Sequence, residues 1–283
     1  MSNAEQHRGD HSGPRIVAIV NQKGGVGKTT TAINLGAALA AAEREVLVID
    51  LDPQGNASTG MGVAGNDRER SAYDVLMNAL PVDEAIRETA VPGLWLVPSS
   101  IDLSGAEVEL VRAERREVRL SAALLASHAE LDYVLIDCPP GLGLLTINAL
   151  VAADSVLVPL QTEFLALEGL SHLLRTVERV RKMMNRTLKL QGIVLTMVDK
   201  RNKLSEAVAN EARDYFADRV YAVEIPRNVR VSEAPSHGLP VLVYDPRCAG
   251  AQAYIRLAAE FLQREEGAAA AADLADRVEA ESP

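Results

Sequence analysis

The chain has 283 residues and a net charge of −10, and 48% of its residues are hydrophobic while only 4% are aromatic. This length fits one large α/β domain or two small ones around an aliphatic core, and the charge argues against a polyanion partner unless the basic residues are segregated. Two cysteines, no apolar leader and no apolar run near the ~18 residues of a membrane span favour a soluble, cytoplasmic protein over a secreted, disulfide-bonded or membrane-spanning one.

Short aliphatic runs alternate with helical patterns along the chain. In chain order, the sequence predicts strand 15–20, helix 28–42, strand 46–51, helix 71–79, strand 94–98, helix 102–127, strand 133–137, helix 144–153, strand 155–160, helix 168–184, strand 192–197, helix 204–216, strand 223–225 and helix 249–264. Continuous aliphatic runs are typical of strands buried on both faces, so we expect an α/β fold with a mostly parallel, twisted sheet and helices on both faces.

One domain is the simplest division of the chain. We predict that it covers residues 15–265, after a disordered N-terminal extension at 1–14. Residues 266–283 are acidic and alanine-rich, which predicts a largely disordered tail with room for only a short frayed helix.

A glycine-rich loop follows the first predicted strand. Residues 23–30 read Lys-Gly-Gly-Val-Gly-Lys-Thr-Thr, and glycine lets the backbone N–H groups turn inward around a phosphate chain. Lys28 would neutralise phosphate oxygens, and Thr29 would offer a hydroxyl to Mg²⁺. A ligand-free glycine turn is the alternative, but it is uncommon for such a run between a strand and a helix. The general pattern has glycine where this chain has Gln22, and Lys23 is an additional lysine that could also be an ordinary solvated side chain.

Aspartates end two later strands of the predicted sheet. Asp50 and Asp52 lie at the end of the second strand, and Asp137 precedes Cys-Pro-Pro-Gly. Because the carboxyl ends of parallel strands meet at one edge, these carboxylates should lie near the loop, where they can orient a water or hold Mg²⁺. Asp52 also has a simpler interpretation as the start of a turn, and Asp137 as the cap of the turn after its strand; for Asp52 the two roles are compatible.

The loop resembles the deviant Walker A motif of the ParA/MinD family of ATPases. The resemblance implies a P-loop NTPase domain that binds ATP and Mg²⁺, with Lys23, Lys28 and Asp52 as catalytic residues. By the same resemblance, Lys23 reaches the nucleotide of a second subunit, Asp52 positions the attacking water, and Thr29 and Asp137 hold the metal. The loop residues implied to bind the nucleotide are Lys23, Gly24, Gly25, Val26, Gly27, Lys28, Thr29 and Thr30.

A longer motif at 225–238 makes the resemblance specific to one branch of the family. It reads Ile-Pro-Arg-Asn-Val-Arg-Val-Ser-Glu-Ala-Pro-Ser-His-Gly and resembles the ParA/Soj branch, in which the corresponding residues form the adenine pocket. Pro226 and Asn228 are the matching nucleotide-binding positions. A proline-bounded loop and short helix with incidental arginines is the alternative. In total, the resemblance covers roughly residues 15–262.

Basic residues are concentrated in one part of this acidic chain. Residues 175–203 hold nine lysines and arginines and two acids, a local charge of +7, whereas 265–283 carries −5. Family members bind DNA without sequence preference as ATP-bound dimers, and phosphate contacts suffice for such binding. A solvated helix face is the alternative. By match to the family the DNA-binding residues are Arg201 and Arg230, with Lys200, Lys203 and Arg227 as companions.

The resemblance therefore implies a cytoplasmic, nucleoid-associated ATPase switch. It would form an ATP-dependent homodimer, bind non-specific DNA and drive chromosome or plasmid partitioning with a ParB-like protein. A ParA-like ATPase that positions a protein organelle or chemoreceptor cluster is the next interpretation, followed by a metabolic ATP-dependent enzyme. A MinD-like membrane-surface ATPase is disfavoured because the chain ends acidic rather than in a basic amphipathic helix. A nitrogenase-reductase relative is disfavoured because Cys138 and Cys248 lack that family's cluster-binding context.

Overall fold

A seven-stranded sheet forms the centre of the molecule. The computed structural model describes the backbone of residues 13–280 and the side chains of residues 13–267. The sheet runs in the order β3-β4-β2-β5-β1-β6-β7, and every pairing is parallel except that of β3 with β4. The predicted α/β class with a mostly parallel sheet is confirmed. The strands are β1 (Arg15–Ile19), β2 (Val46–Asp50), β3 (Arg87–Glu88), β4 (Leu94–Val97), β5 (Tyr133–Asp137), β6 (Ser155–Gln161) and β7 (Lys189–Thr196).

Helices cover both faces of this sheet. Successive side chains of a strand point to opposite faces, so each central strand contributes to two cores. Val17 and Ile19 of β1 pack with α1, α2, α11 and α12, whereas Ala18 and Val20 belong to the core with α3 to α9. The α-helices are α1 (Lys28–Ala40), α2 (Asn56–Gly60), α3 (Ala72–Met77), α4 (Val82–Ala85), α5 (Leu103–Arg112), α6 (Arg119–Leu125), α7 (Leu144–Ala152), α8 (Ala166–Met183), α9 (Lys203–Phe216), α10 (Val229–Glu233), α11 (Val241–Tyr244) and α12 (Ala249–Ala280).

The predicted helix 102–127 is interrupted. The structure has α5 and α6 instead, and between them Arg115 adopts a positive φ of 51°. The Nδ2 atom of Asn148 on α7 donates a hydrogen bond of 2.7 Å to the carbonyl of Arg116, which holds the unwound segment in place.

The predicted strand 223–225 is also wrong. In the described part of the chain no strand forms at these residues. Ile225 N donates to the Leu195 carbonyl at 2.9 Å and its own carbonyl accepts the Val198 N–H at 3.0 Å, but the flanking pairs Ile193–Val220 and Val198–Pro226 are isolated parallel bridges. The contact is too short to make an eighth strand of the sheet.

The last helix is longer than the sequence predicts. Helix α12 continues past residue 264 to Ala280, so most of the predicted tail at 266–283 is helical rather than carrying only a short frayed helix. The run 267–272 is one glycine and five alanines, and alanine has the highest intrinsic helix propensity.

The domain boundaries of the sequence-based division stay predictions. Most of the predicted N-terminal extension, residues 1–12, lies outside the described residues, as do residues 281–283. Within the part that is described, no helix combines the length and the apolar character needed to cross a bilayer.

Candidate active site

The predicted loop and aspartates meet at one edge of the sheet. Strands β1, β5 and β2 are neighbours and parallel, so the loops that follow them leave the same edge. Ile19, the last residue of β1, pairs in register with Asp137, and Asp137 pairs with Asp50. Three segments that are distant in sequence therefore share one cleft, as expected for ligand sites in such sheets.

The glycine loop has the geometry of an anion cradle. Gly25 and Gly27 have φ of 74° and 89°, a region that residues with a Cβ rarely adopt. A Cβ built on Gly24 would meet no described atom within 4 Å, so the outer surface of the loop is open. Val26 is buried beneath it, and Thr196 Oγ1 donates to its carbonyl at 2.8 Å, which fixes the loop to β7. Helix α1 begins directly after the loop and adds its N-terminal partial positive charge.

Lys28 is a buried cation that faces acidic neighbours. Its side chain is only 6% exposed, and Nζ donates a 3.1 Å hydrogen bond to the carbonyl of Lys23. Burial lowers the pKa of Lys28, while the negative charges of Asp137 and Asp52 act in the opposite direction. The predicted P-loop lysine thus lies between the loop backbone and the carboxylates.

Asp137 is the least satisfied polar group of the cleft. Its side chain is fully buried, and within the described part of the chain neither carboxylate oxygen has a hydrogen-bond partner. Burial raises the pKa of Asp137 well above its usual range and Asp50 raises it further, whereas the Thr29 hydroxyl and the Lys28 ammonium lower it. A buried, unpartnered carboxylate beside a hydroxyl supplies the hard oxygen ligands that Mg²⁺ prefers, so these residues fit the metal.

Asp50 and Asp52 have different surroundings. Asp50 is fully buried and accepts hydrogen bonds from Ser58 N at 2.8 Å, Ser58 Oγ at 2.7 Å and Asp52 N at 3.2 Å. Burial raises the pKa of Asp50 to about 6. Asp52 is 7% exposed, and its Oδ1 accepts the Gln54 N–H at 3.0 Å, so it does start a turn. The catalytic role of Asp52 stays a prediction.

Lys23 points away from its own loop. Its Nζ forms an ion pair of 2.7 Å with Glu163 Oε2 in the loop after β6, and both side chains are about half exposed. The ammonium is therefore held at the rim of the cleft, where a second molecule could reach it.

Pro226 and Asn228 lie at the start of α10. Pro226 bridges to Val198, the second residue after β7, and Arg227 N donates to the Val198 carbonyl at 3.2 Å. Asn228 Oδ1 accepts the Arg230 N–H at 2.9 Å and so caps α10. The capping role accounts for the asparagine locally, and its contact with a nucleotide base stays a prediction.

The predicted DNA-binding residues are all exposed, but two of them are paired with carboxylates. Arg201 makes two bonds of 3.0 Å to Asp199, and Arg230 contacts Glu233 at 2.9 Å and Asp245 at 3.4 Å. The exposed residues are Lys200, Arg201, Lys203, Arg227 and Arg230.

The +7 segment is not one surface. Helix α8 runs back from the carboxyl edge, so Arg181 and Lys182 near its end lie toward the amino end of β7, where both contact Glu178. Lys200 and Arg201 follow the opposite end of that eight-residue strand, about 25 Å away at 3.3 Å per residue. The two halves of the basic segment therefore cannot contact the same short stretch of a ligand.

Three residues that the sequence does not single out also shape the site. Glu163 forms an ion pair with Lys23. Its position just after β6, at the carboxyl edge of the sheet, is the one feature of the sequence that could have indicated it as a site residue. Ser58 binds Asp50, and Ser99 Oγ donates to the Asp52 carbonyl at 2.6 Å. Nothing local in the sequence indicates either serine, because their partners come from other loops.

Comparison with known proteins finds similar sequences that extend over most of this chain. A family profile described as an AAA domain matches residues 14–190. The chromosome partitioning protein ParA of Caulobacter vibrioides is 59% identical over 253 residues, which cover 89% of this chain and 95% of that protein. The sporulation initiation inhibitor protein Soj of Bacillus subtilis is 54% identical over 246 residues, covering 87% and 97%.

A solved structure shares the fold and carries a nucleotide. The cobyrinic acid a,c-diamide synthase of Mycobacterium smegmatis, with bound ATP analog and magnesium, has a TM-score of 0.78 and 38% identity to this chain. The match covers 89% of this chain and 96% of that one.

Proposed function

Since this chain belongs to the ParA/Soj family of ATPases, we propose that it is an ATP-dependent dimerising switch that binds non-specific DNA and drives chromosome or plasmid partitioning with a ParB-like partner. The protein is an ATPase that uses ATP and Mg²⁺. The observation that carries the proposal is the meeting of the glycine loop, Lys28 and two aspartates at one edge, with Lys23 directed out of the cleft toward Glu163.

The cleft residues would have separate roles in ATP hydrolysis. The loop amides and Lys28 would bind the β- and γ-phosphates, and Asp52 would accept a hydrogen bond from the attacking water and so orient it. Because Oδ1 of Asp52 already accepts the Gln54 N–H, Oδ2 is the oxygen assigned to the water. Thr29 and Asp137 would hold Mg²⁺, which when bound draws charge from the phosphate oxygens.

Lys23 is the residue that ties hydrolysis to dimerisation. Its ammonium is half exposed at the rim, and an exposed ion pair such as that with Glu163 contributes little to stability, so Lys23 can exchange this partner for a phosphate of a second subunit. Each subunit would then complete the other's site, and hydrolysis would remove the charge that holds the two together.

The exposed basic residues beyond β7 are the proposed DNA contact. Arg227 N bonds to the carbonyl of Val198, which places the predicted basic residues of two segments close together. Arg201 and Arg230 are paired with exposed carboxylates, and such pairs are readily exchanged for DNA phosphates. Binding through phosphates has no sequence preference and would associate the protein with the nucleoid.

The experiment measures binding to a DNA duplex with ATP, ADP or no nucleotide. We expect the wild type to bind with ATP and Asp52→Ala to stay bound, since its hydrolysis is too slow to release it. Lys28→Ala should lose ATP and DNA together, whereas Arg230→Ala should retain ATP and lose DNA. Equal binding with ADP and ATP would contradict the switch.

A metabolic ATP-dependent enzyme is the second candidate, because a structure 38% identical to this chain is named cobyrinic acid a,c-diamide synthase. Two separate ATPase assays distinguish the functions, one with cobyrinic acid and an ammonium salt and one with DNA and a ParB-like protein. We expect DNA with the ParB-like protein to raise the rate. An increase with cobyrinic acid and an ammonium salt, in the absence of DNA, would favour the metabolic function.

A further inference from the structure

Both main-chain polar groups of Asp52 are held by buried side chains. Its N–H donates to Asp50 Oδ1 at 3.2 Å, and its carbonyl accepts the hydroxyl of Ser99 at 2.6 Å. Asp50 and Ser99 are completely buried. With both ends of the residue fixed, the Asp52 side chain can move only by rotation about its own bonds.

Ser58 connects these two supports. Its Oγ donates to Asp50 Oδ2 at 2.7 Å and accepts the Ser99 N–H at 2.9 Å. A hydroxyl has one donor and two acceptor positions, so a single Oγ can serve both partners. Asp50, Ser58, Ser99 and Asp52 therefore form a closed, buried ring of hydrogen bonds.

The ring does more than close a turn. The turn at Asp52 is already closed locally, because Gly55 N donates to the Asp52 carbonyl at 2.8 Å and Gln54 N donates to its Oδ1 at 3.0 Å. Ser99 belongs to the loop after β4, and its hydroxyl adds a second bond to the same carbonyl from outside the turn. This bond fixes where the turn sits relative to the sheet rather than whether it forms.

We propose that Ser99 and Ser58 are positioning residues for hydrolysis, an inference that rests on the proposed role of Asp52. They hold the Asp52 backbone so that its carboxylate stays in the one place from which it can orient water onto the phosphate. A small displacement of an orienting group strongly slows the reaction but changes the affinity for ATP little, because other residues bind the phosphates.

The first test compares Ser99→Ala and Ser58→Ala with the wild type in single-turnover ATP hydrolysis. We expect the rate to fall about 10- to 100-fold while the Kd for ATP changes by less than about threefold. Ser71→Ala is the matched control: this serine is also buried, and its hydroxyl bonds to Asp74 at 3.0 Å and to Ser100 at 3.2 Å. The Ser71→Ala variant should be less stable than the wild type but hydrolyse ATP at the wild-type rate, because this serine has only a structural role. A Ser99→Ala or Ser58→Ala protein that folds, binds ATP and hydrolyses it within about twofold of wild type overturns the proposal.

The second test combines Ser99→Ala with Asp52→Ala. If Ser99 acts through Asp52, the slow residual rate of Asp52→Ala should be unchanged in the double variant, whereas independent effects would multiply, lower that rate further and contradict the proposal. The two proposals also fail differently. An inactive Asp52→Ala with an unaffected Ser99→Ala removes only the positioning role, whereas an active Asp52→Ala removes the catalytic role of Asp52 and this inference with it.

Discussion

At the scale of single residues, the buried carboxylates of the cleft differ in their effect on the stability of the folded protein. Asp50 and Asp137 are equally buried, but Asp50 accepts three hydrogen bonds while Asp137 accepts none from the described residues. An unsatisfied buried polar group costs stability unless a ligand completes it. We therefore interpret Asp50 as part of the fold and Asp137 as a residue kept for a ligand.

Exchanging Asp137 for asparagine should separate stability from function. We expect Asp137→Asn to stabilise the nucleotide-free protein by about 1–3 kcal/mol, since it removes a buried charge, and to abolish Mg²⁺-dependent hydrolysis. Urea unfolding and ATPase assays measure the two effects. Asp50→Asn is the control, and it should destabilise, because the new amide N–H groups would face the donors of Ser58. Equal destabilisation by both substitutions would contradict the distinction.

The same carboxylates give the nucleotide-free protein a defined pH dependence. Burial raises the pKa of Asp50 to about 6 and that of Asp137 well above its usual range, compared with roughly 3.9 for an unfolded aspartate. The folded state then binds more protons than the unfolded state above about pH 4, so the free energy of unfolding should fall as pH rises through about 6. Urea unfolding between about pH 5 and pH 8 checks this, and Asp137→Asn should show a shallower fall. Stability that increases over this range would contradict it.

At the scale of elements, the sequence predicts what depends on local pattern and misses what depends on tertiary contacts. The central strands are short, continuous aliphatic runs, and helix α1 begins directly after a glycine, so the sequence marks these elements clearly. The break between α5 and α6 has no glycine or proline to signal it and depends on Asn148 of α7 bonding to Arg116. In the site, the glycine loop is visible in sequence, whereas the Ser58 and Ser99 contacts require the folded sheet to bring their loops together.

The direction of α8 separates the two halves of the basic segment, and this predicts which half binds DNA. Arg201→Ala should weaken ATP-dependent DNA binding several-fold and reduce its salt dependence, because one phosphate contact is lost. Arg181→Ala is the matched control, since Arg181 is also exposed and paired with a carboxylate, Glu178, but lies toward the other end of β7. Titrations at two salt concentrations measure both. Equal losses for the two variants would show that the whole segment contacts DNA.

At the scale of the whole molecule, the two lysines of the glycine loop contact different groups. Lys28 and the aspartates face the loop, whereas Lys23 is held outward by Glu163. In a two-fold symmetric dimer each subunit offers the same surface, so an outward lysine of one chain is available to the other in both directions. Action of Lys23 across the interface would make two different variants restore each other's activity.

Mixing two inactive variants provides that test. A dimer of one Lys23→Ala chain and one Asp52→Ala chain has a complete site only if Lys23 comes from the other subunit. We expect each variant alone to be inactive and an equal mixture to recover about a quarter of wild-type ATPase activity, since half the dimers are mixed and each has one complete site. ATP binding by both variants is the control. No recovery in a mixture that forms dimers would place Lys23 in its own subunit's site.

The strand order also determines at what point during synthesis of the chain the ATP site can form. Strand β1 carries the loop and is the first strand synthesised, yet its two neighbours are β5 and β6, so Ile19 pairs with Asp137 and Val17 with Ser155. Contacts this distant along the chain close slowly and late in folding. On the ribosome, the nucleotide loop therefore emerges early but stays without its supporting strands until more than half of the chain has been translated. The phosphate loop can therefore be held in its sheet only after β5 and β6 have been synthesised.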